Sequence, residues 1–161
     1  MYDRALPEAV FVLGANGYLG RATVEKLRAE PRAPLVVGID QAGAEINCDL
    51  SSQDAFETVL LDTAQPATHA SVGGVIATGF SPFSPTLSRT EEDVLRTFRT
   101  NVLVPMWTLN ALASWCIRVN GRATAVVIGS VYGQFVPDFS IYEHLDRTNS
   151  EIYGATKAST N

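Results

Sequence analysis

The chain has 161 residues, 46% of them apolar, and a formal net charge of −5. That is enough for one domain with a real core, and the acidic balance excludes nucleic acid or an anionic membrane surface as the main partner. Cys48 and Cys116 have neither metal-ligand nor redox spacing, so they read as reduced thiols in a cytoplasmic protein, with no metal site.

Ala9 to Leu13 is a short continuous apolar run ending at a glycine, as suits a strand buried on both faces of a parallel sheet. The turn Gly14-Ala15-Asn16-Gly17-Tyr18-Leu19-Gly20 follows, then a helical stretch to about Glu30, stopped by Pro31 and Pro34. Strand, glycine-rich turn and helix form the context of a phosphate-binding turn. Its glycines let the backbone approach a pyrophosphate, and the helix N-terminus offers free N–H groups and a positive dipole end. Contacts to a dinucleotide are expected from Gly14, Asn16, Gly17, Tyr18, Leu19 and Gly20.

Leu35 to Ile39 is a second strand, with Asp40 at its C-terminal end. A carboxylate there binds the adenosine ribose hydroxyls and repels a 2′-phosphate, which favours NAD over NADP. A short third strand is expected at about Glu45 to Cys48, with no helix before it, because Gln41 to Ala44 cannot hold a crossover helix. Asp49 and Leu50 would lie beside the adenine. Ser51 or Ser52 caps a predicted helix to about Ala64, ahead of Pro66.

Val72 to Thr78 is a fourth strand, at the point where strand order should reverse, and Gly79 opens a loop rich in serine and proline. Thr90-Glu91-Glu92-Asp93 starts a long helix, predicted to reach Val119 with a bend near Pro105 and to end at Asn120-Gly121. Its apolar part, Val102 to Ile117, is broken by Pro105, Thr108, Asn110 and Ser114, and reads as a buried helix rather than a membrane span. Trp107 and Trp115 read as core or interface residues on it. Ala125 to Gly129 is the fifth strand, and Ser130 follows it directly. An aromatic-rich loop from Val131 to Ser150 leads to Tyr153-Gly154-Ala155-Thr156-Lys157, which should open a helix. Residues at i and i+4 share a helix face, so the phenol of Tyr153 and the ammonium of Lys157 would point the same way. A nearby cation favours phenolate over phenol and so lets a tyrosine trade a proton with a substrate hydroxyl. His69 and His144 have no partners at telling spacings and read as surface or loop residues.

Gly14/Gly17/Gly20, Asp40, Asp49-Leu50, Ala77-Thr78-Gly79, Asn101, Ser130 and Tyr153/Lys157 stand in the order found in short-chain dehydrogenases/reductases, and the chain resembles that family over nearly its whole length. The resemblance implies an α/β fold with a doubly wound parallel sheet, Rossmann-like, in the order 3-2-1-4-5, forming one NAD-binding domain over residues 1–161. It implies NAD as cofactor, with NADP disfavoured, and cofactor contacts from Ala77, Thr78 and Gly79 as well. Tyr153 would be the general acid/base. Lys157 would assist it and hold the nicotinamide ribose, Ser130 would bind the substrate oxygen, and Asn101 would support a proton-relay water. The stretch from Ser130-Val131-Tyr132-Gly133 through Pro137-Asp138-Phe139-Ser140-Ile141-Tyr142-Glu143 is similar to members linked to flagellin-glycan and nonulosonate-sugar pathways, which implies a sugar or sugar-nucleotide substrate.

Two local departures stand out: Leu13 where a threonine often precedes the first glycine, and Ala77-Thr78-Gly79 in place of an asparagine-rich form. Family members also continue well past the tyrosine motif, so the domain is expected to be incomplete, with the fifth strand left as an exposed edge and the span alone inactive. The full-length form is expected to be a homodimer or homotetramer, with no nucleic-acid or membrane partner. Three functions remain open: an NAD-dependent oxidoreductase acting on a secondary alcohol or ketone, a sugar-nucleotide epimerase or dehydratase using the same cofactor, and a non-catalytic NAD-binding module.

Overall fold

The computed structural model describes residues 6–50, 52–53, 70–85, 88–144 and 149–160. Its centre is a five-stranded parallel sheet: β1 (Ala9–Leu13), β2 (Leu35–Asp40), β3 (Ile46–Asn47), β4 (Ser71–Ile76) and β5 (Arg122–Val127), in the order β3-β2-β1-β4-β5. The order reverses between β1 and β4, as expected from the sequence. Helices α1 (Tyr18–Arg28), α2 (Glu91–Phe98), α3 (Val104–Val119) and α4 (Glu151–Ala158) complete the described elements. The helix expected between Ser51 or Ser52 and Ala64 lies outside the described residues, as does His69.

β1 explains the layering. Successive side chains of a strand point to opposite faces. Ala9, Phe11 and Leu13 join Ile39, Ile76, Trp107, Leu112 and Trp115 in one buried cluster. Val10 and Val12 join Val24 of α1 in the other. Helices cover both faces, so the central strand must be apolar throughout. Trp107 and Trp115 are both core residues.

The brevity of β3 leaves a problem at the sheet edge. Only Ile39 and Asp40 of β2 pair with it. An ion pair completes the edge in place of a longer strand. The Glu45 carboxylate accepts a 2.7 Å hydrogen bond from the Gly38 N–H, and the Arg28 guanidinium donates to the Val36 carbonyl at 3.2 Å while pairing with Glu45. The Arg28 guanidinium first, and then the Gly38 N–H, hold the Glu45 carboxyl below its usual range, against the opposing pull of partial burial.

The long helix forms with its start and end as predicted, and its hydrogen-bond pattern changes just ahead of Pro105. Thr90 caps α2 with a reciprocal box, its hydroxyl accepting from the Asp93 N–H while Asp93 accepts from the Thr90 N–H. Pro105 has no N–H to give the carbonyl of Asn101, as an α-helix would require. The chain instead opens into a π-helical segment, Arg99–Leu103, between α2 and α3. Asn120 ends α3 in the left-handed conformation, at φ 51°. The run Glu91–Val119 is long and apolar enough to span a bilayer. Here its buried face, including Val104, Ala111 and Leu112, packs on the sheet.

Candidate active site

The turn after β1 sits where the strands' C-terminal ends meet the start of α1. Gly14 has φ +78°, and a Cβ there would lie 3.0 Å from the backbone of Ala77 and Thr78. A Cβ on Gly20 would lie 2.0 Å from the Gly14 carbonyl oxygen. Gly20 therefore lets α1 approach the turn, and Gly14 lets the turn approach the segment after β4. Gly17 caps α1 with no side-chain hydrogen bond, leaving the first N–H groups of the helix to a ligand or solvent.

Asp40 reaches back to this turn. One carboxylate oxygen accepts from the Asn16 N–H at 2.8 Å and the other from the Gln41 N–H at 2.7 Å. A cleft of about 230 Å³ opens beside them, lined by Gly14, Gly17, Asp40, Leu50, Thr78 and Gly79, with Ala77 also in its wall. The Thr78 hydroxyl is buried there without a hydrogen-bond partner among the described residues. Glycines at contact distance, open helix N–H groups, an unpaired hydroxyl and a carboxylate at the end of β2 together fit a dinucleotide.

Not every expected cofactor residue faces this cleft. Asn16 turns its amide to the Ala42 carbonyl at 3.2 Å and accepts from Arg21 at 3.0 Å, tying the turn to the loop after β2. Tyr18 is 92% exposed and Leu19 half exposed. Asp49 lines a neighbouring groove of about 880 Å³, with Arg96 and Arg99.

A second cleft, of about 470 Å³, adjoins the first through the shared residues Gly79 and Phe80. Ser130 and Tyr153 both line it. Ser130 has its own backbone partner, accepting from the Tyr132 N–H at 3.2 Å. Lys157 does not face the cleft. It is 4% exposed, donates to the Ile128 carbonyl at 2.7 Å, and holds its Nζ 5.7 Å from the centre of the Tyr153 ring. Burial pushes its pKa down.

Asn101, fully buried in the π-helical segment, joins three elements. Its Oδ1 accepts from the Phe80 N–H at 2.8 Å, while Nδ2 donates to the Phe80 carbonyl and to the Thr156 hydroxyl, each at 2.9 Å. The side chain thus fixes the wall between the clefts and the helix that carries Tyr153.

Several residues of the site were not identified from the sequence. Tyr132, Tyr142 and Asn149 line the second cleft, and the two phenols share a 2.8 Å hydrogen bond. Arg89, only 3% exposed at its side chain, donates to the Ser84 carbonyl at 3.1 Å and the Ser150 hydroxyl at 3.0 Å and pairs with Glu151. Ser150 in turn caps α4 by accepting from the Tyr153 N–H. Arg89 therefore locks the loop after β4 to the start of the tyrosine helix. Nothing local marks it, since it is a single arginine ahead of a helix cap.

These features define a nucleotide-binding α/β domain of the doubly wound type, with a second cleft abutting the nucleotide cleft. The model of the NAD dependent epimerase/dehydratase family matches residues 10–161, and the chain belongs to that family. Its cofactor is accordingly NAD. Among functionally curated proteins, none matches the chain. Solved structures resemble it closely in shape and distantly in sequence. A short chain dehydrogenase from Leptospira borgpetersenii with bound NAD+ superposes with a TM-score of 0.79 at 20% identity, over 98% of this chain and 63% of that one. The ligand-free aldohexose dehydrogenase of Thermoplasma acidophilum gives 0.74 at 16% identity, over 96% and 58%. A short-chain dehydrogenase from Streptomyces avermitilis gives 0.74 at 24%, over 96% and 57%. The chain thus spans about three fifths of the length of these structures.

Proposed function

We propose that the chain is the cofactor-binding part of an NAD-dependent oxidoreductase that interconverts a secondary alcohol and a ketone, with a sugar or sugar-nucleotide as substrate class. One observation carries this reading: Tyr153 and Ser130 line a cleft that adjoins the nucleotide cleft through Gly79 and Phe80. A substrate there would lie beside the redox end of the nucleotide. When bound, the cofactor supplies hydride transfer. The protein supplies the proton and the positions. Tyr153 gives or takes the hydroxyl proton at its phenolic oxygen. Ser130 orients the substrate oxygen with its hydroxyl. Lys157 sets a positive charge behind the phenol. Asn101 acts as a positioning residue, since both Nδ2 hydrogens are committed to protein acceptors. The sugar assignment is supported by the cleft's composition, in which phenol and amide groups from Tyr132, Tyr142 and Asn149 stand beside the rings of Phe80 and Phe83. Such a lining suits a ligand with many hydroxyls and an apolar face.

The epimerase or dehydratase reading is favoured by the description of the matching family. The two differ in what happens to the cofactor, because an epimerase or dehydratase regenerates it in each cycle. The test uses the natural full-length product with NAD and a panel of sugars and sugar-nucleotides. Stoichiometric NADH formation supports the dehydrogenase. Product formation without net NADH supports the second reading. NAD binding with neither outcome leaves a non-catalytic NAD-binding module.

A further inference from the structure

Arg96 is the one cation among the described residues lining the 230 Å³ nucleotide cleft, and Asp40 is the one anion. Its guanidinium carbon lies 4.1 Å from the centre of the Phe80 ring, and it makes no hydrogen bond or ion pair among the described residues. That is unusual for its surroundings. Glu92 and Asp93 precede it by four and three residues on the same helix, where an arginine ordinarily finds a partner. The Asp93 carboxylate is instead committed to the backbone and hydroxyl of Thr90, at 3.0 and 3.1 Å. Asp40 is likewise engaged by the N–H groups of Asn16 and Gln41. The Phe80 platform is itself held, because Asn101 binds both its N–H and its carbonyl. The molecule therefore holds a cation with no hydrogen-bonded partner among the described residues, though within the field of the Asp93 carboxylate, over a fixed aromatic face at the wall of the cleft that also contains the glycine turn.

We propose that Arg96 is a nucleotide-binding residue, whose guanidinium meets the pyrophosphate of the bound dinucleotide while α1 presents its N-terminus to the same group. A pyrophosphate is doubly anionic and offers the paired oxygens that a guanidinium fork matches. Stacking on Phe80 fixes the guanidinium plane and reduces the entropy lost on contact. The inference rests on the NAD reading of this cleft.

The test is calorimetric binding of NAD, NADP, ADP and adenosine to the whole chain and to Arg96→Gln, Arg96→Lys and Phe80→Leu. Arg96 is exposed, so Arg96→Gln should leave the thermal melt unchanged. NAD and ADP should bind Arg96→Gln about tenfold more weakly, with adenosine unaffected. Arg96→Lys should recover part of the loss, and Phe80→Leu should weaken ADP by a smaller factor. Added salt should erode ADP binding to the parent more than to Arg96→Gln. Unchanged ADP binding in Arg96→Gln would overturn the proposal. So would an equal loss for adenosine, which would mean stacking on the base, or a loss confined to NADP, which would mean a 2′-phosphate contact. If the parent binds none of the four ligands, the NAD reading fails and takes this inference with it.

Discussion

β1 and β5 belong to one parallel sheet, yet they live in different environments. All five residues of β1 are buried, none more than 4% exposed. In β5, Arg122, Thr124, Ala125 and Val126 are exposed, Val126 at 56%. β1 is apolar throughout, with Phe11 and Leu13 among its alanine and valines, whereas β5 opens with Arg122 and carries Thr124. Position adds to that difference. β1 has a strand on each side and helices on both faces, whereas among the described residues β5 pairs with β4 alone. An apolar run therefore identifies a strand, and its place in the sheet decides how much energy its side chains contribute.

The comparison also divides the site. The β1 side supplies the nucleotide cleft, built from backbone and glycines inside a packed core. The β5 side supplies Ser130 and the helix that carries Tyr153 and Lys157, and that helix is tied down by long-range hydrogen bonds from Asn101 and Arg89.

The largest effect should come from the core. Phe11→Ala in β1 should cost about 3–5 kcal/mol of unfolding free energy, by transfer and cavity together. Val126→Ala in β5 should cost less than about 0.5 kcal/mol. Denaturant melts of both variants check the contrast, and similar losses would mean that β5 is covered in the natural protein. Next is Tyr153→Phe in the full-length protein. Turnover should fall about a hundredfold or more, while the calorimetric NAD affinity stays unchanged. A joint loss of both would place Tyr153 in the nucleotide site rather than in the chemistry.

Asp40→Ala should narrow the preference for NAD over NADP by about tenfold, measured as a ratio of dissociation constants. It also leaves the Asn16 N–H without its acceptor, so NAD affinity itself should decline. Equal affinity of the parent for both cofactors would remove the role assigned to Asp40.

The smallest effect concerns Lys157. Burial lowers its pKa in the folded state below the unfolded value of about 10.4. Between those two values the unfolded chain binds the proton and the folded chain does not. Stability therefore rises with pH across that window, and below it the buried charge costs stability. Lys157→Met should lose this rise, seen as a smaller gain in stability than the parent's as the pH climbs toward 10. Parallel pH profiles would mean that the ammonium is better solvated than its surroundings indicate.

Much of this was legible in the residues. The five strands, the order implied by the family pattern, the capping of the long helix at Thr90 and its end at Asn120 all follow from local chemistry: apolar runs, glycines and a cap. The brevity of β3 was visible too, because four residues cannot hold a crossover helix. Its remedy was not. Arg28 and Glu45 are seventeen positions apart, and only the fold brings them to the same edge. The same holds at the site. Gly14, Gly17, Asp40 and Thr78 meet where strand ends converge, as their motif suggests, because backbone turns and strand termini are specified locally. Tyr18 and Leu19 belong to the same motif and are exposed at the start of α1. Arg89, Arg96 and Asn149 carry no local signal, and their roles arise when the loop after β4, the long helix and the tyrosine helix pack together. Local sequence determined which segments form and where the chain turns, because those preferences act over a few residues. Tertiary packing alone decided which charges are neutralised and which side chains share a cleft, because those partners are distant in the chain and meet only once the apolar core has closed.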